Sequence, residues 1–412
     1  SGGLTATTYL EFQKGGRHGT PFVAGHPEQS LVLKHLTGEA EPRMPMGMEP
    51  LSESEINSFR QWILQGAQDD SALATGSDPA PSEPPVYQAS PVITALAYSP
   101  DGKVLAVSGN HEVLLHKTEG SGLVARLVGQ SERIHSIAFS PDGKTLAAVG
   151  GSPARFGELQ LWDLQSIKLL RAVKVTADTL FGVSFSPDGK YVSFGCPDKT
   201  VRVFDSASGA ELKKMEVHSD WVFATVFSLD GKRVVSVSRD HFLKLSEVAT
   251  GSFLENLNLL TKATFGGQGE LYCLARHPKR DVVVAAGDDR VPRMYTMNRP
   301  RAMKIDDDSC LLREFEVQSG MVQTVAFSPD GAQVAVGGRA AQINIYLAEN
   351  GNKVTALTGH TGDICAVAFH PGGTRLAAAG FDGIVRIYDL QSRSLHKEFV
   401  PVPLGVSNSS SP

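Results

Sequence analysis

"AFSPDGKTLAAVG", Ala138 to Gly150, is two apolar runs joined by a Ser-Pro-Asp-Gly tip. Pro presets φ for the second position of a type I turn, and Gly accepts the left-handed conformation that returns the strand with its natural twist. The stretch therefore predicts a β-hairpin, and the chain keeps rewriting it. The tip stands as SPDGK at Ser99, Ser140 and Ser186, as SLDGK at Ser228 and as SPDGA at Ser328. Weaker copies are HPKRD at His277 and HPGGT at His370. The seven copies lie 41, 46, 42, 49, 51 and 42 residues apart. Self-similarity at such a period marks units that cannot bury their own apolar faces and must stack on neighbours.

Working outward from the tip, each repeat shows one grammar. An apolar run precedes it, as in ITALAYS, IHSIAFS, LFGVSFS, VFATVFS and LYCLARH. A second follows it (TLAAVG, YVSFG, RVVSVS), then a third (ELQLWD, TVRVFD, IVRIYD). The fourth is more polar: LVARLV, KLLRAV, ELKKME, FLENLN, LLREFE, KVTALT and LHKEFV. Runs one and two are nearly continuous in apolar residues, as in strands covered on both faces. Run four alternates charged with apolar residues, as an exposed edge strand does. The expectation is an all-β fold in which seven four-stranded antiparallel sheets, graded from buried to solvated, stack radially into a closed, seven-bladed β-propeller over residues 91–401. The repeated Asp101, Asp142, Asp188, Asp230 and Asp330 belong to turn chemistry and not to catalysis.

Composition agrees with a folded chain, at 41% hydrophobic and 20% charged residues. A net charge of -5 gives no general reason to expect nucleic acid or an anionic membrane as partner. No run approaches the roughly 18 apolar residues of a membrane span, and no signal peptide is visible. Cys196, Cys273, Cys310 and Cys365 are too scattered for a zinc knuckle and read as thiols packed in strands. No Ser/His/Asp set, metal spacing or phosphate loop stands out, and His111, His135 and His241 differ in repeat position, so no enzyme is expected.

At the third run the repeats resemble the WD40 family. Leu161-Trp162-Asp163 holds the family's dipeptide, and Phe204, Tyr295, Tyr346 and Tyr388 fill the aromatic position elsewhere, with His116 and Ser246 as exceptions. The family ties a blade with a His–Ser–Asp–Trp tetrad. His218, Ser236 and Asp240 match three of those positions, with Ser246 replacing the Trp; His360 and Asp382 match two, with Ala378 replacing the Ser. The equivalent acid is Asp198 and Asp289 elsewhere, and Asn110 in the first blade. With no complete tetrad, blade stability is expected to rest mainly on packing. The fifth blade is the least regular: Pro292 interrupts its third run, and a long loop carries Asp306, Asp307 and Asp308.

Residues 1–66 carry helical punctuation instead. In PLSESEINSFRQWILQGA, Ser52 and Glu55 form a capping box, Leu51 and Ile56 a staple, and Ile56, Phe59 and Ile63 one apolar face. A shorter helix fits PEQSLVLKHLTG, with Pro27 near its first turn and Gly38 after its last. Between them, EPRMPMGMEP concentrates methionines. The order of these pieces resembles the C-terminal half of planctomycete-type cytochrome c domains, so a small N-terminal α-helical, cytochrome c-like segment is expected. The resemblance implies Met44 as axial haem ligand, ahead of Met46 and Met48, while His18, His26 and His35 have no ligand motif. It also implies an upstream CxxCH, haem c in a longer protein and an extracytoplasmic (periplasmic), bacterial setting. The chain as given has no attachment site, hence no cofactor of its own. Residues 67–90 read as a Pro/Ser/Ala-rich linker and 402–412 as a tail.

Two functions follow as expectations: a scaffold binding a protein partner, or, alternatively, haem electron transfer with the propeller docking the redox partner. Partner contacts are placed on loops that break the repeat, at Ser152, Arg155 and Phe156 and at Lys262 and Phe265, on the face opposite the SPDG tips. For closure of the ring, Leu395–Val400 as fourth strand of the last blade is favoured slightly over Pro85–Gln88 taking that edge.

Overall fold

The computed structural model describes residues 12–13, 15–16, 19–44, 50–67, 83–118, 122–258, 269–299 and 309–404. The chain forms two compact units, 1–78 and 79–412.

In the small unit a 3-10 turn at Pro27–Gln29 leads into α1 (Leu31–Thr37), which Gly38 ends at φ 83. Helix α2 (Glu53–Leu64) starts with the expected box: the Glu55 amide donates to Ser52 Oγ, and the Ser52 amide donates to the Glu55 carboxylate at 2.7 Å. Ile56 and Ile63 join Phe22, Val32, Leu33, Leu36 and Ala67 in one apolar cluster, with Leu51, Met44 and Trp62 packed against it. Phe59, expected on the buried face, is 37% exposed. Trp62 packs against the cluster.

The large unit is built of strands β1 (Leu96–Tyr98) to β27 (Ser394–Phe399). All four runs of every repeat form strands, and every pairing is antiparallel between sequence neighbours. Among the described residues the sheets number six, not seven: five have four strands and one has seven. The cause is β4 (Leu123–Phe139), a 17-residue strand that serves as fourth strand of the first repeat and first strand of the second. Asn110 pairs with Arg133 across it, so no loop separates the two sheets.

The innermost strands form a closed ring. β1 touches β4, and contact continues through β8 (Phe181–Phe185), β12 (Val222–Phe227), β16 (Leu271–Arg276), β20 (Val322–Phe327) and β24 (Ile364–Phe369) back to β1. The core lies between sheets. Leu96, Leu105 and Val107 of the first pack with Ala366, Ala377, Val385 and Ile387 of the last, and similar clusters fill each other junction. Hydroxyls stitch the inner strands together: Thr94 Oγ1 donates to the Ile134 carbonyl, Ser136 Oγ accepts from the Val183 amide at 3.1 Å, and Thr324 Oγ1 accepts from the Val367 amide at 3.2 Å. The glycine that ends run two is forced by close approach. At Gly150, Gly287 and Gly380 a Cβ would collide with the carbonyl oxygens of Arg133, Glu270 and Asp363 on the adjoining first strand.

Candidate functional site

Each repeat buries a polar network where the tetrad was sought, beside the apolar packing expected to hold the blades. In three repeats an acid in the turn before the third strand pairs with an Arg four residues on, which reaches across to strand four. Arg202 joins Asp198 (2.6 Å) to Glu211 (2.7 Å). Arg293 joins Asp289 to Glu314, and Arg386 joins Asp382 to Glu398. Elsewhere the same positions hold Arg126–Glu112, Ser131–Glu158–Gln160–Trp162 and Gln318–Asn344–Tyr346. Sequence reasoning missed this set; its signal was Asp-x-x-x-Arg, present in DKTVR, DRVPR and DGIVR.

One network brings together a Ser, a His and an Asp. His218 lies 2.9 Å from the Asp240 carboxylate through Nδ1 and 2.8 Å from Ser236 Oγ through Nε2. Burial pushes His218 down, so the ring is neutral. Burial opposes ionisation of Asp240 most strongly, but His218 and the amides of Ser219 and Phe242 together outweigh it and hold the carboxyl at about 2. With Nδ1 donating to Asp240, Nε2 accepts the Ser236 proton. The side chains of His218 and Asp240 are 0% and 2% exposed.

The inner ring encloses a cavity of about 330 Å³ lined by one segment of each inner strand. At its end remote from the SPDG turns, where the inner strands begin, five rings form an arc. His135 lies 5.1 Å from Phe181, Phe181 5.4 Å from Phe223, and Phe223 5.3 Å from Tyr272, between ring centroids. Trp221 stacks on Phe181 at 5.9 Å and is 37% exposed. Gln323 and Cys365 line the opposite side, with the thiol 3.6 Å from Gln323 Oε1. Burial, aided by the Arg133 charge, pushes His135 down to about 4, so it presents a neutral ring. Burial, together with a 2.6 Å bond to Glu270, raises the Tyr272 phenol.

The predicted loop at Ser152 is tighter than expected. Ser152 pairs with Phe156, leaving a three-residue tip of Pro153, Ala154 and Arg155 on an extended hairpin. Ser152 is buried, Arg155 exposed, and the Lys174 ammonium sits 4.7 Å from the Phe156 ring centroid. At the tip the Ala154 amide donates to Asp178, whose charge acts on His135. Lys262, Phe265 and the 306–308 acids lie outside the described residues, as do His18, Met46 and Met48.

Covalent haem needs two thioether-forming cysteines and an axial imidazole. The chain's cysteines are all in the large unit, with Cys196, Cys273 and Cys310 buried and Cys365 half-buried. Burial pushes Cys196 up to about 12 and Cys365 up to about 11. Met44 packs against the small unit's own cluster, His26 faces Glu28, and His35 Nδ1 donates to the Pro42 carbonyl. The residues present in this chain do not fit the group. No set of three metal-ligating side chains occurs among the described residues, and no described helix is long and apolar enough to cross a membrane.

Four stretches, 121–152, 168–205, 209–245 and 351–389, match the family described as "WD domain, G-beta repeat". The chain contains WD40 repeats. WD-repeat relatives match over parts of their length. A stretch of 119 residues is 30% identical to "Meiotic recombination protein rec14" of Schizosaccharomyces pombe, covering 29% of this chain and 39% of that protein. "WD repeat-containing protein 1" of Rattus norvegicus is 38% identical over 90 residues, 21% of this chain and 14% of its own. "Pre-mRNA-processing factor 19 homolog 2" of Arabidopsis thaliana is 28% identical over 132 residues, 32% and 23% of the two chains. The chain thus spans well under two thirds of each. The WD40 matches begin at residue 121 and lend no support to the cytochrome resemblance of the small unit.

Proposed function

We propose that the WD40 sheets form one seven-bladed propeller acting as a protein-binding scaffold, with its partner seated at the aromatic end of the cavity. The observation that carries the reading is the arc of His135, Phe181, Trp221, Phe223 and Tyr272. These rings come from four neighbouring inner strands or their starts, and Trp221 is the most exposed of them, the other four being half-buried. Rigid aromatic side chains with few rotatable bonds are the usual anchors of interfaces. Arg155, at the tip beside Asp178, extends the same surface outward.

A binding role is favoured over catalysis by access. Ser236, His218 and Asp240 have the connectivity of a nucleophilic triad, yet their burial shuts out substrate, and the cavity is lined by other residues. Electron transfer finds no haem-holding set among the described residues and is carried no further.

The test is site-specific photocrosslinking in cells. A photoreactive residue at Trp221 or Arg155 is expected to give a discrete crosslinked species, and the same residue at Lys144, in an SPDG turn, none. Crosslinks from Lys144 alone would overturn the placement.

A further inference from the structure

We propose that the seam between the first and last sheets, on the side of the SPDG turns, binds a phosphate monoester carried on a polar group such as a sugar. A cavity of about 520 Å³ opens there, lined from the first sheet by Lys103, Lys117 and Thr118 and from the last by His370, Thr374 and Arg375. Three of these carry a fixed positive charge, and among the described residues no carboxylate lines the cavity. A cleft lined by one sign of charge concentrates the opposite ion. Lys103 faces Asp101 at 3.4 Å, but the two side chains are 80% and 56% exposed, so the pair is weak and leaves the ammonium open to a better anion. Lys117 is exposed and in no ion pair among the described residues. Asp389, opposite Arg375 in register, has its Oδ1 taken by the Ser392 amide (2.7 Å) and hydroxyl (2.9 Å). Glu119, next after Thr118, lies outside the described residues.

The HPGGT tip supplies a second observation. In each of the five serine tips the amide four residues after the Ser donates to the tip Asp, at 2.9–3.1 Å. HPGGT has Gly372 in that Asp position. Its Thr374 amide therefore lacks this acceptor and has no other among the described residues. The tip also lacks the carboxylate that elsewhere faces its own lysine, as Asp142 faces Lys144 and Asp188 faces Lys190. The Gly102 carbonyl, which would repel an anion, is covered by two donors, His370 Nε2 at 3.1 Å and Thr118 Oγ1. The seam thus keeps its cations, loses an acid and offers an unpaired N–H, a set of donors suited to an oxyanion. The cavity is larger than a phosphate alone needs, and no apolar side chain lines it, so the carrier is polar.

The experiment titrates glucose 6-phosphate, glucose and inorganic phosphate into the full chain at about 20 mM salt, followed by NMR. Glucose 6-phosphate is expected to bind at least about tenfold more tightly than glucose. That advantage is expected to vanish in Lys103→Met/Lys117→Met, both exposed positions, and to persist in Lys190→Met, at a tip that keeps its acid. Gly372→Asp, which returns the carboxylate the serine tips carry, is expected to weaken glucose 6-phosphate at least about fivefold. Should either variant melt near assay temperature, salt supplies a readout on the unaltered chain. Raising it to about 500 mM is expected to weaken glucose 6-phosphate at least about threefold and leave glucose unchanged; no salt dependence overturns the inference. So does equal binding of the two sugars, no saturation by glucose 6-phosphate up to about 20 mM, or an advantage that survives in the lysine double variant. Inorganic phosphate binding as tightly as glucose 6-phosphate supports the oxyanion site and overturns the sugar-like carrier.

Discussion

Single residues decide how each sheet is held. Arg293 is flanked by Asp289 and Glu314, and the Asp289 side chain is only 6% exposed. Breaking a buried ion pair strands a charge, whereas replacing both partners by apolar groups removes the desolvation cost too. Arg293→Met should therefore lower stability by about 3–5 kcal/mol, and Asp289→Ala/Arg293→Met should recover most of it, checked by urea unfolding. His360 carries a second residue-scale prediction. Burial, then the Arg386 charge, depress it to about 4. The unfolded chain binds the proton more readily, so the contribution is full above about pH 6.5 and is lost as pH falls toward 4, by about 3 kcal/mol for this one group. His135, depressed alike, adds to the slope. Unfolding midpoints should drop between pH 7 and pH 4.5, and less steeply in His360→Gln; an equal slope in that variant rules the assignment out. These side chains were only partly legible. Asp198, Asp289 and Asp382 stand at the family's acid position, whereas the Arg four residues on has no counterpart in the tetrad and sits in the strand like any solvated cation until the fold buries it.

At the scale of elements the sequence was most informative where the physics is local. In all five serine tips the Ser Oγ donates to the Asp two residues on and accepts an amide five residues on, which closes the turn within six residues. The histidine tips do this differently. His370 Nδ1 accepts the Gly372 amide at 2.9 Å, so Nε2 carries the proton and donates to the Gly102 carbonyl at 3.1 Å, in the first sheet. His370→Ala should cost about 1 kcal/mol of unfolding free energy, whereas an isolated surface histidine would cost nothing measurable. The fusion of two sheets through β4 was not legible, since Gly129 and the polar run after it look like a loop. Nor was the mouth: His135, Phe181, Phe223 and Tyr272 are 42 to 49 residues apart and meet only because the ring closes. Their one trace in the chain is register, for each is the second letter of its first run, in IHSIAFS, LFGVSFS, VFATVFS and LYCLARH.

For the whole molecule the decisive event is closure, and of the two alternatives its sequence offers the chain uses the first. β27 pairs with β26 (Val385–Asp389) as fourth strand of the last sheet, as slightly favoured. The segment before residue 91 is nevertheless bound. Tyr87 bridges Leu404 in parallel, packs with Leu114 and Val402, and donates its hydroxyl proton to Glu112 at 2.8 Å, while Arg126 reaches the Pro85 carbonyl. Residues just before and just after the ring thus lie together on the first sheet, where the Ile93 amide also bonds the Gly380 carbonyl of the last. A chain starting at Glu83 keeps all of this; one starting at Pro91 uncovers Leu114 and Val402 and takes a donor from buried Glu112. Apolar exposure plus the lost bond amounts to about 3 kcal/mol. The shorter chain should unfold at lower urea and lose its last residues to protease sooner, while the longer one matches the full chain. Equal unfolding of the two would mean that β1 against β24 closes the ring unaided and that Tyr87 merely rests on it.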